Sequence, residues 1–321
     1  MENVWIKDEE AYTLEALVNS YYNHIGLHIE HFMRKIGGSG NMKKVGFIGF
    51  GSMGSMLVKE FINSGRLTQE QIIITRKDKS RLNEIKNLWP DINVTEHIAQ
   101  VVKETQHIFI CVKPSEYKSV LEEMRPDISS EQHIISIAGT VSIKKLESIT
   151  NCSVTKIIPT VISEVNEGVT LVCHNDKVSE QEATFIENLL KALGQIKHIN
   201  EEDFGFASEL TSCAPGFIAA IFKEFVEAGL RHTCTISKDE IEEIAIQTLF
   251  GTAKFILDKK VSFDNVISRV ATKGGITEEG TKILGAGLPD LFDEMFHRTL
   301  EKRKIVAEQV EKKFTELENI G

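Results

Sequence analysis

Three glycines at the spacing G-x-G-x-x-G, in Gly49-Phe50-Gly51-Ser52-Met53-Gly54, follow the apolar run Val45 to Ile48 and precede the amphipathic stretch Met53 to Ser64. That strand, turn and helix setting gives the spacing its chemistry. Gly49 permits a tight turn, Gly51 lets backbone approach a pyrophosphate, and Gly54 lets helix and strand pack closely. The helix N-terminus then offers unpaired N–H groups and a partial positive charge to the phosphates. Thr75-Arg76-Lys77 closes the next apolar run, where NAD sites place an Asp or Glu that binds both ribose hydroxyls and repels a 2′-phosphate. Two cations and a hydroxyl favour NADP(H), with NAD(H) as the alternative because Asp78 follows directly.

Two later segments gather small hydroxylated residues around Pro or Gly-Gly: Thr211-Ser212-Cys213-Ala214-Pro215-Gly216-Phe217 and Ala271-Thr272-Lys273-Gly274-Gly275-Ile276-Thr277. Backbone N–H groups beside hydroxyls make a nest for an anion, commonly a carboxylate. The same residues also suit helix caps, since Thr272 or Thr277 could each start a helix. His24, His28 and His31 share a helical face but lack a Cys or carboxylate triad to close a metal site, so they read as a solvated face.

The elements that position these residues alternate between short apolar runs and helical spacing. Val45 to Ile48, Gln71 to Thr75, His107 to Val112, His133 to Ile137, Val154 to Ile158, Val169 to Val172 and Gln195 to Ile199 read as strands. Met53 to Ser64, Lys79 to Leu88 and Ser115 to Met124 read as helices, which together predict β-α-β units and a mostly parallel sheet. From about Glu201 only helical spacing remains, in Phe204 to Leu230, Lys238 to Asp258 and Leu288 to Leu317, broken by glycines around Ala271 to Thr277. The expected fold is an α/β Rossmann dinucleotide-binding domain over 42–200 followed by an all-α domain over 201–321. Residues 1–36 are amphipathic and end in the run Gly37 to Asn41; 1–41 is read as an N-terminal extension, and Met42, just ahead of the first strand, is an alternative native start.

The bulk composition fits this frame. At 321 residues the chain is comfortable for two domains, and its 41% hydrophobic and 26% charged residues are ordinary soluble usage. A net charge of -10 without a basic stripe argues against nucleic acid as a partner. The five cysteines, Cys111, Cys152, Cys173, Cys213 and Cys234, are odd in number and include no C-x-x-C pair, as expected of reduced cytoplasmic thiols. No run of about 18 apolar residues is visible for a membrane span, and no signal core follows the start.

From Met42 the chain resembles the pyrroline-5-carboxylate reductase family over nearly its whole length. The blocks that carry this are Gly49 to Gly54, Val112-Lys113-Pro114, Ile135-Ser136-Ile137-Ala138-Gly139, Ala214-Pro215, Gln247-Thr248 and Gly274-Gly275-Ile276-Thr277, in that order. The likeness is nearest to the diverged ComER-type late-competence proteins of Bacillus. It implies a helical domain that interlocks with a second subunit, giving a homodimer or higher homo-oligomer with the active site at the interface. It implies NADP(H) contacts at 49–54, at Val112, Lys113 and Pro114, and near Ala138 and Gly139. An imino-acid substrate's carboxylate would be held by Thr272, Gly274, Gly275 and Ile276, with the Thr277 hydroxyl near the ring nitrogen. The implied role is in proline biosynthesis: NADPH-dependent reduction of 1-pyrroline-5-carboxylate, or of a related cyclic imine. Such chemistry draws its hydride from the cofactor and asks the protein chiefly for positioning, so no catalytic His or acidic pair is needed.

The chain departs from the family pattern near the substrate. A Met-Pro-Asn-Thr-Pro-Ala block becomes Ile158-Pro159-Thr160-Val161-Ile162-Ser163, and a Ser-Gly-Ser-(Gly/Ala)-Pro-Ala-Tyr block becomes Thr211 to Phe217. Lys273 and Ile276 replace a proline and a small residue in the carboxylate loop. These changes motivate a second function, a catalytically diverged NADP(H)-binding regulatory protein. A third, β-hydroxyacid dehydrogenase, suits Gly49 to Gly54 with Met56, but its lysine would have to be Lys223, which lacks the flanking glycines and downstream Asn.

Overall fold

The structure, a computed structural model, describes residues 44–233 and 235–315. The 1–41 extension, Met42 and the three histidines at 24, 28 and 31 lie outside the described residues.

Eight strands form one sheet: β1 (Val45–Ile48), β2 (Ile72–Thr75), β3 (Asn93–Thr95), β4 (His107–Ile110), β5 (His133–Ser136), β6 (Ser153–Ile158), β7 (Gly168–His174) and β8 (Gly194–His198), in the order β3-β2-β1-β4-β5-β6-β7-β8. β1 to β6 run parallel, β7 is antiparallel to β6, and β8 is parallel to β7. The central strands are continuous apolar runs, such as Val-Gly-Phe-Ile and Ile-Ile-Ile-Thr, and every residue of them is buried. Such runs form strands covered by helices on both faces. The covering helices are α1 (Ser52–Asn63), α2 (Leu82–Leu88), α3 (Ile98–Glu104), α4 (Tyr117–Met124), α5 (Ile143–Ile149) and α6 (Glu180–Leu190). On one face Phe47 stacks on Phe109 at 5.0 Å between centroids and Phe61 closes the cluster. On the other, Tyr117, Leu121 and Leu146 pack beneath the sheet. The chain order reverses between β1 and β4, and the crevice beyond their carboxyl ends is where open α/β sheets bind ligands.

From Glu201 every element among the described residues is helical. α7 (Phe204–Ser208), a π turn at Glu209–Cys213 and α8 (Ala214–Leu230) run as one helical stretch, followed by α9 (Lys238–Lys259), α10 (Phe263–Val270) and α11 (Ile276–Thr315). Two expectations change here. The last helix begins at Ile276 rather than near Leu288, carrying Gly280, Gly285, Gly287 and Pro289 within it. In addition, Glu201–Leu230 is long and apolar enough, by length and composition, to cross a membrane; its small Gly, Ala and Cys residues complete an apolar run that bulky residues alone do not make. The end of α11 returns to the sheet, where Val310 and Phe314 join the Tyr117 cluster and Lys118 donates to the carbonyls of Lys313 and Phe314.

The helical half has little core of its own. Among the described hydrophobic residues between Glu209 and Val310, only Val226 and Ala245 are buried. Phe225, Phe250, Ile276 and Ile283 are all more than half exposed. An apolar surface of this extent marks an interaction face.

Candidate active site

The Gly49 to Gly54 loop lies at the carboxyl end of β1. Gly49 adopts φ of +96°, its N–H donates to Thr75 O at 2.8 Å, and a Cβ there would fall 2.6 Å from the Cys111 carbonyl oxygen. A Cβ on Gly54 would fall 2.7 Å from Gly49 O. The chain itself therefore requires both glycines. Gly51 differs: its φ is −88°, open to any residue, and no atom lies within 4 Å of where its Cβ would be. Gly51 caps α1 with no side-chain hydrogen bond, and the first turn holds no acidic residue. The result is an uncapped helix N-terminus with clear space in front of it, which suits a pyrophosphate.

Beside it opens a cleft of about 350 Å³ lined by Gly49, Thr75, Arg76, Lys77, His97 and Val112, and also by Glu96, Glu116 and Glu123. Thr75 is buried at the end of β2. The Lys77 ammonium, almost fully exposed, pairs with Glu116 at 3.1 Å. Asp78 does not line the cleft; the Ser80 hydroxyl donates to it at 2.6 Å and holds its carboxyl below the usual range. Arg76 is thus the cation best placed to meet a 2′-phosphate. Since a hydrogen bond to a charged group contributes about 1.5–3 kcal/mol, Arg76→Ala should raise KM for NADPH by roughly 10- to 100-fold and leave KM for NADH nearly unchanged. Lys77→Ala should do less, as exposed ion pairs contribute little. Equal effects on both cofactors in steady-state assays would contradict this role.

The other expected cofactor segments follow the carboxyl ends of β4 and β5. Val112 is half-buried in the cleft wall, Lys113 is exposed, and Pro114 opens a helical turn that leads into α4. The Tyr117 hydroxyl donates to Ile110 O at 2.7 Å and accepts from Ser136 Oγ and Ile137 N–H, tying the carboxyl ends of β4 and β5 together. Ala138 is buried just beyond, and a Cβ on Gly139 would fall 3.0 Å from Ile158 and 3.4 Å from the Arg303 guanidinium.

Thr272 to Thr277 lies elsewhere. Thr272, Lys273, Gly274, Ile276 and Thr277 are exposed, Ile276 at 95%. Gly274 takes φ of +75°, the Gly275 N–H donates to Thr272 O at 2.8 Å, and α11 starts at Ile276. Arg303, which sits beside Gly139, is 27 residues along that helix; at 1.5 Å per residue the loop is about 40 Å from it. One chain therefore does not bring this loop to its own dinucleotide crevice. The Gly274 N–H also has an occupant already, donating to the Glu278 carboxylate at 2.7 Å.

The two altered segments are both ordered. Thr160 and Ser163 are fully buried, and Val161 and Ile162 face outward, Ile162 beside Pro215 and Ile218. Thr211 to Phe217 is not a nest. It spans the π turn and the start of α8, where the Thr211 hydroxyl donates to Ala207 O. Pro215 has no N–H to give, and the widened turn accommodates its ring without breaking the helix.

Residues 201–305 match the domain described as pyrroline-5-carboxylate reductase dimerisation, and residues 44–140 match that described as NADP oxidoreductase, coenzyme F420-dependent. Pyrroline-5-carboxylate reductase 3 of Bacillus subtilis is 35% identical over 272 residues, which are 84% of this chain and 99% of that relative. The chain belongs to the pyrroline-5-carboxylate reductase family. Within the family, ComE operon protein 4 of Bacillus subtilis is 31% identical over 271 residues, again 84% of this chain and 99% of the relative. The fold is shared with the NADP-bound pyrroline carboxylate reductase of Plasmodium falciparum, at a TM-score of 0.72 and 22% identity over 86% of this chain and 100% of that one.

Four residues of the reductase frame escaped sequence reasoning. Tyr117 reads as an ordinary amphipathic helix position, and Glu278 as a helix-start acid. Arg303 and its buried partner Glu209 lie 94 positions apart, and no local pattern connects them.

Proposed function

We propose that the protein reduces 1-pyrroline-5-carboxylate, or a closely related cyclic imino acid, with NADPH in the cytoplasm. The observation that carries this is the open, uncapped N-terminus of α1 beside Arg76, set in a reductase frame. The residues fit the cofactor: Gly51 leaves room for the pyrophosphate, Arg76 and Thr75 face the 2′-phosphate position, and Val112 walls the cleft. Bound NADPH supplies the hydride that the C=N carbon receives. The chain's own part is to hold and orient. The Gly274 and Gly275 backbone with Thr272 and Ile276 grips the substrate carboxylate, and the Thr277 hydroxyl hydrogen-bonds the ring nitrogen as it takes a proton from solvent. Preorganised donors of this kind supply the electrostatic share of catalysis.

The working unit is a homodimer, in which a second copy covers the apolar faces of α8, α9 and α11 and brings its 272–277 loop to this chain's crevice. The apolar face of Glu201–Leu230 meets that copy rather than lipid. The cysteines suit a reducing compartment: Cys111, Cys152, Cys173 and Cys213 are unpaired, and burial pushes the Cys111 and Cys152 thiols up, away from the reactive thiolate.

Glu278 gives the site a built-in competitor. A substrate carboxylate must displace the Glu278 carboxylate from the Gly274 N–H. Because a charged acceptor holds an N–H about twice as strongly as a neutral one, Glu278→Gln should lower KM for the imino acid by roughly threefold to tenfold with kcat little changed. A higher KM would show that Glu278 supports binding instead.

The same Glu278 contact, with the altered 158–163 segment, favours a second reading in which the protein binds NADP(H) for regulation without turnover. Expression in a proline auxotroph separates the two. Restored growth supports the reductase, and failure at a verified protein level supports the regulatory protein.

A further inference from the structure

A cluster of imidazoles lies at the opposite end of the sheet from the dinucleotide crevice. His107 and His133 begin β4 and β5, while His174 and His198 end the reversed pair β7 and β8, so all four sit at the amino ends of the parallel strands. His174 and His198 project from the same face of neighbouring strands, with ring centroids 5.7 Å apart. Glu187 reaches them from α6: its Oε1 is 3.3 Å from His198 Nε2 and 3.6 Å from His174 Nε2. The three ligand atoms lie within 4.8 Å of one another.

We propose that His174, Glu187 and His198 form a binding site for a divalent transition cation, Zn²⁺ being the best match, independent of the dinucleotide site. Two imidazoles and one carboxylate are the donor set that zinc takes with a water in its fourth position. A tetrahedral ion with bonds of about 2.0–2.1 Å has ligand-to-ligand edges of about 3.3 Å, close to both distances at Glu187. His198 is 58% exposed and free to swing in, and its exposure leaves an entry path and a place for water.

The surroundings hold His174 in the form a metal needs. Its Nε2 is buried, has no hydrogen-bond partner and faces Glu187. Its Nδ1 is 2.7 Å from Thr155 Oγ1, which in turn is 2.6 Å from His133 Nε2. With a cation on Nε2, Nδ1–H donates to the Thr155 hydroxyl, which donates in turn to His133 Nε2. A metal-bound histidine ordinarily has a partner of this kind fixing its tautomer and ring plane. The bound ion would clasp α6 to the exposed β7 and β8 edge.

The test is titration of the metal-free full-length protein with Zn²⁺ against a chromophoric chelator, and with Co²⁺, whose visible absorption reports four-coordinate binding. One ion per chain is expected, with a higher Tm in its presence. His198→Ala and Glu187→Gln, both at partly exposed positions, should each weaken uptake at least about tenfold while NADPH binding stays unchanged. Three results would overturn the site: no uptake by the wild type, uptake unaffected by either variant, or uptake lost on replacing His24, His28 and His31 instead.

Discussion

Chains carrying Gly51→Val and chains carrying Thr277→Asp should each be inactive alone and should recover about a quarter of wild-type activity when unfolded and refolded together. Both changes spare the fold. Gly51 has free space and an ordinary φ, so valine fits but fills the approach to the pyrophosphate. Thr277 is exposed at the start of α11, where an aspartate favours the helix N-terminus while setting a negative charge against the substrate carboxylate. Each homodimer should lose about 100-fold or more in kcat/KM through lost positioning. Random pairing makes half the dimers mixed, and each mixed dimer has one crevice and one loop that are both intact. This recovery is possible only if crevice and loop come from different chains. A site built within one chain would carry a lesion in every copy, and mixing would restore nothing.

Arg303→Met should destabilise the chain by about 3 kcal/mol, the usual cost of leaving a buried charge without its partner. The Arg303 guanidinium meets Glu209 Oε1 through Nη2 at 2.7 Å and Nε at 3.1 Å, and the Glu209 side chain is only 2% exposed. Glu209 Oε2 has no other partner to fall back on. For a chain of this size the loss corresponds to a Tm lower by roughly 4–5 °C. The double variant Glu209→Leu with Arg303→Met should recover most of it, because a well-packed apolar pair is often as stable as a buried ion pair. A single variant that unfolds like wild type would show that the pair contributes little to stability. The pair also matters for the site, since it fixes the end of α11 beside Gly139.

The dinucleotide half was legible in the sequence because its signals are local. Gly49, Gly51 and Gly54 sit within one turn, and the buried strands announce themselves as short β-branched runs. β3, with three residues and only Thr95 buried, carries too little pattern to stand out. The helical half was legible in kind but not in extent. Gly280, Gly285 and Gly287 lie ahead of the expected start at Leu288, and each glycine costs about 1 kcal/mol in a helix interior. They remain helical in α11, whose exposed face carries Ile283, Leu284 and Leu291 for packing outside the chain. Thr211 to Phe217 misled for a related reason: hydroxyls and a proline resemble a loop, while the π turn absorbs the proline within a continuous helix. The pairing of Arg303 with Glu209, and of Glu278 with Gly274, depends on where helices end in space, which composition does not encode.

The central claim is that this chain still uses its cofactor on a cyclic imine. Its most direct test is to supply 1-pyrroline-5-carboxylate to the purified full-length protein with NADPH and to follow NADPH consumed and proline formed together. The account predicts one proline for each NADPH, with no consumption when the imine is withheld. Tight NADPH binding without consumption or proline, in protein verified to be a dimer, would contradict it.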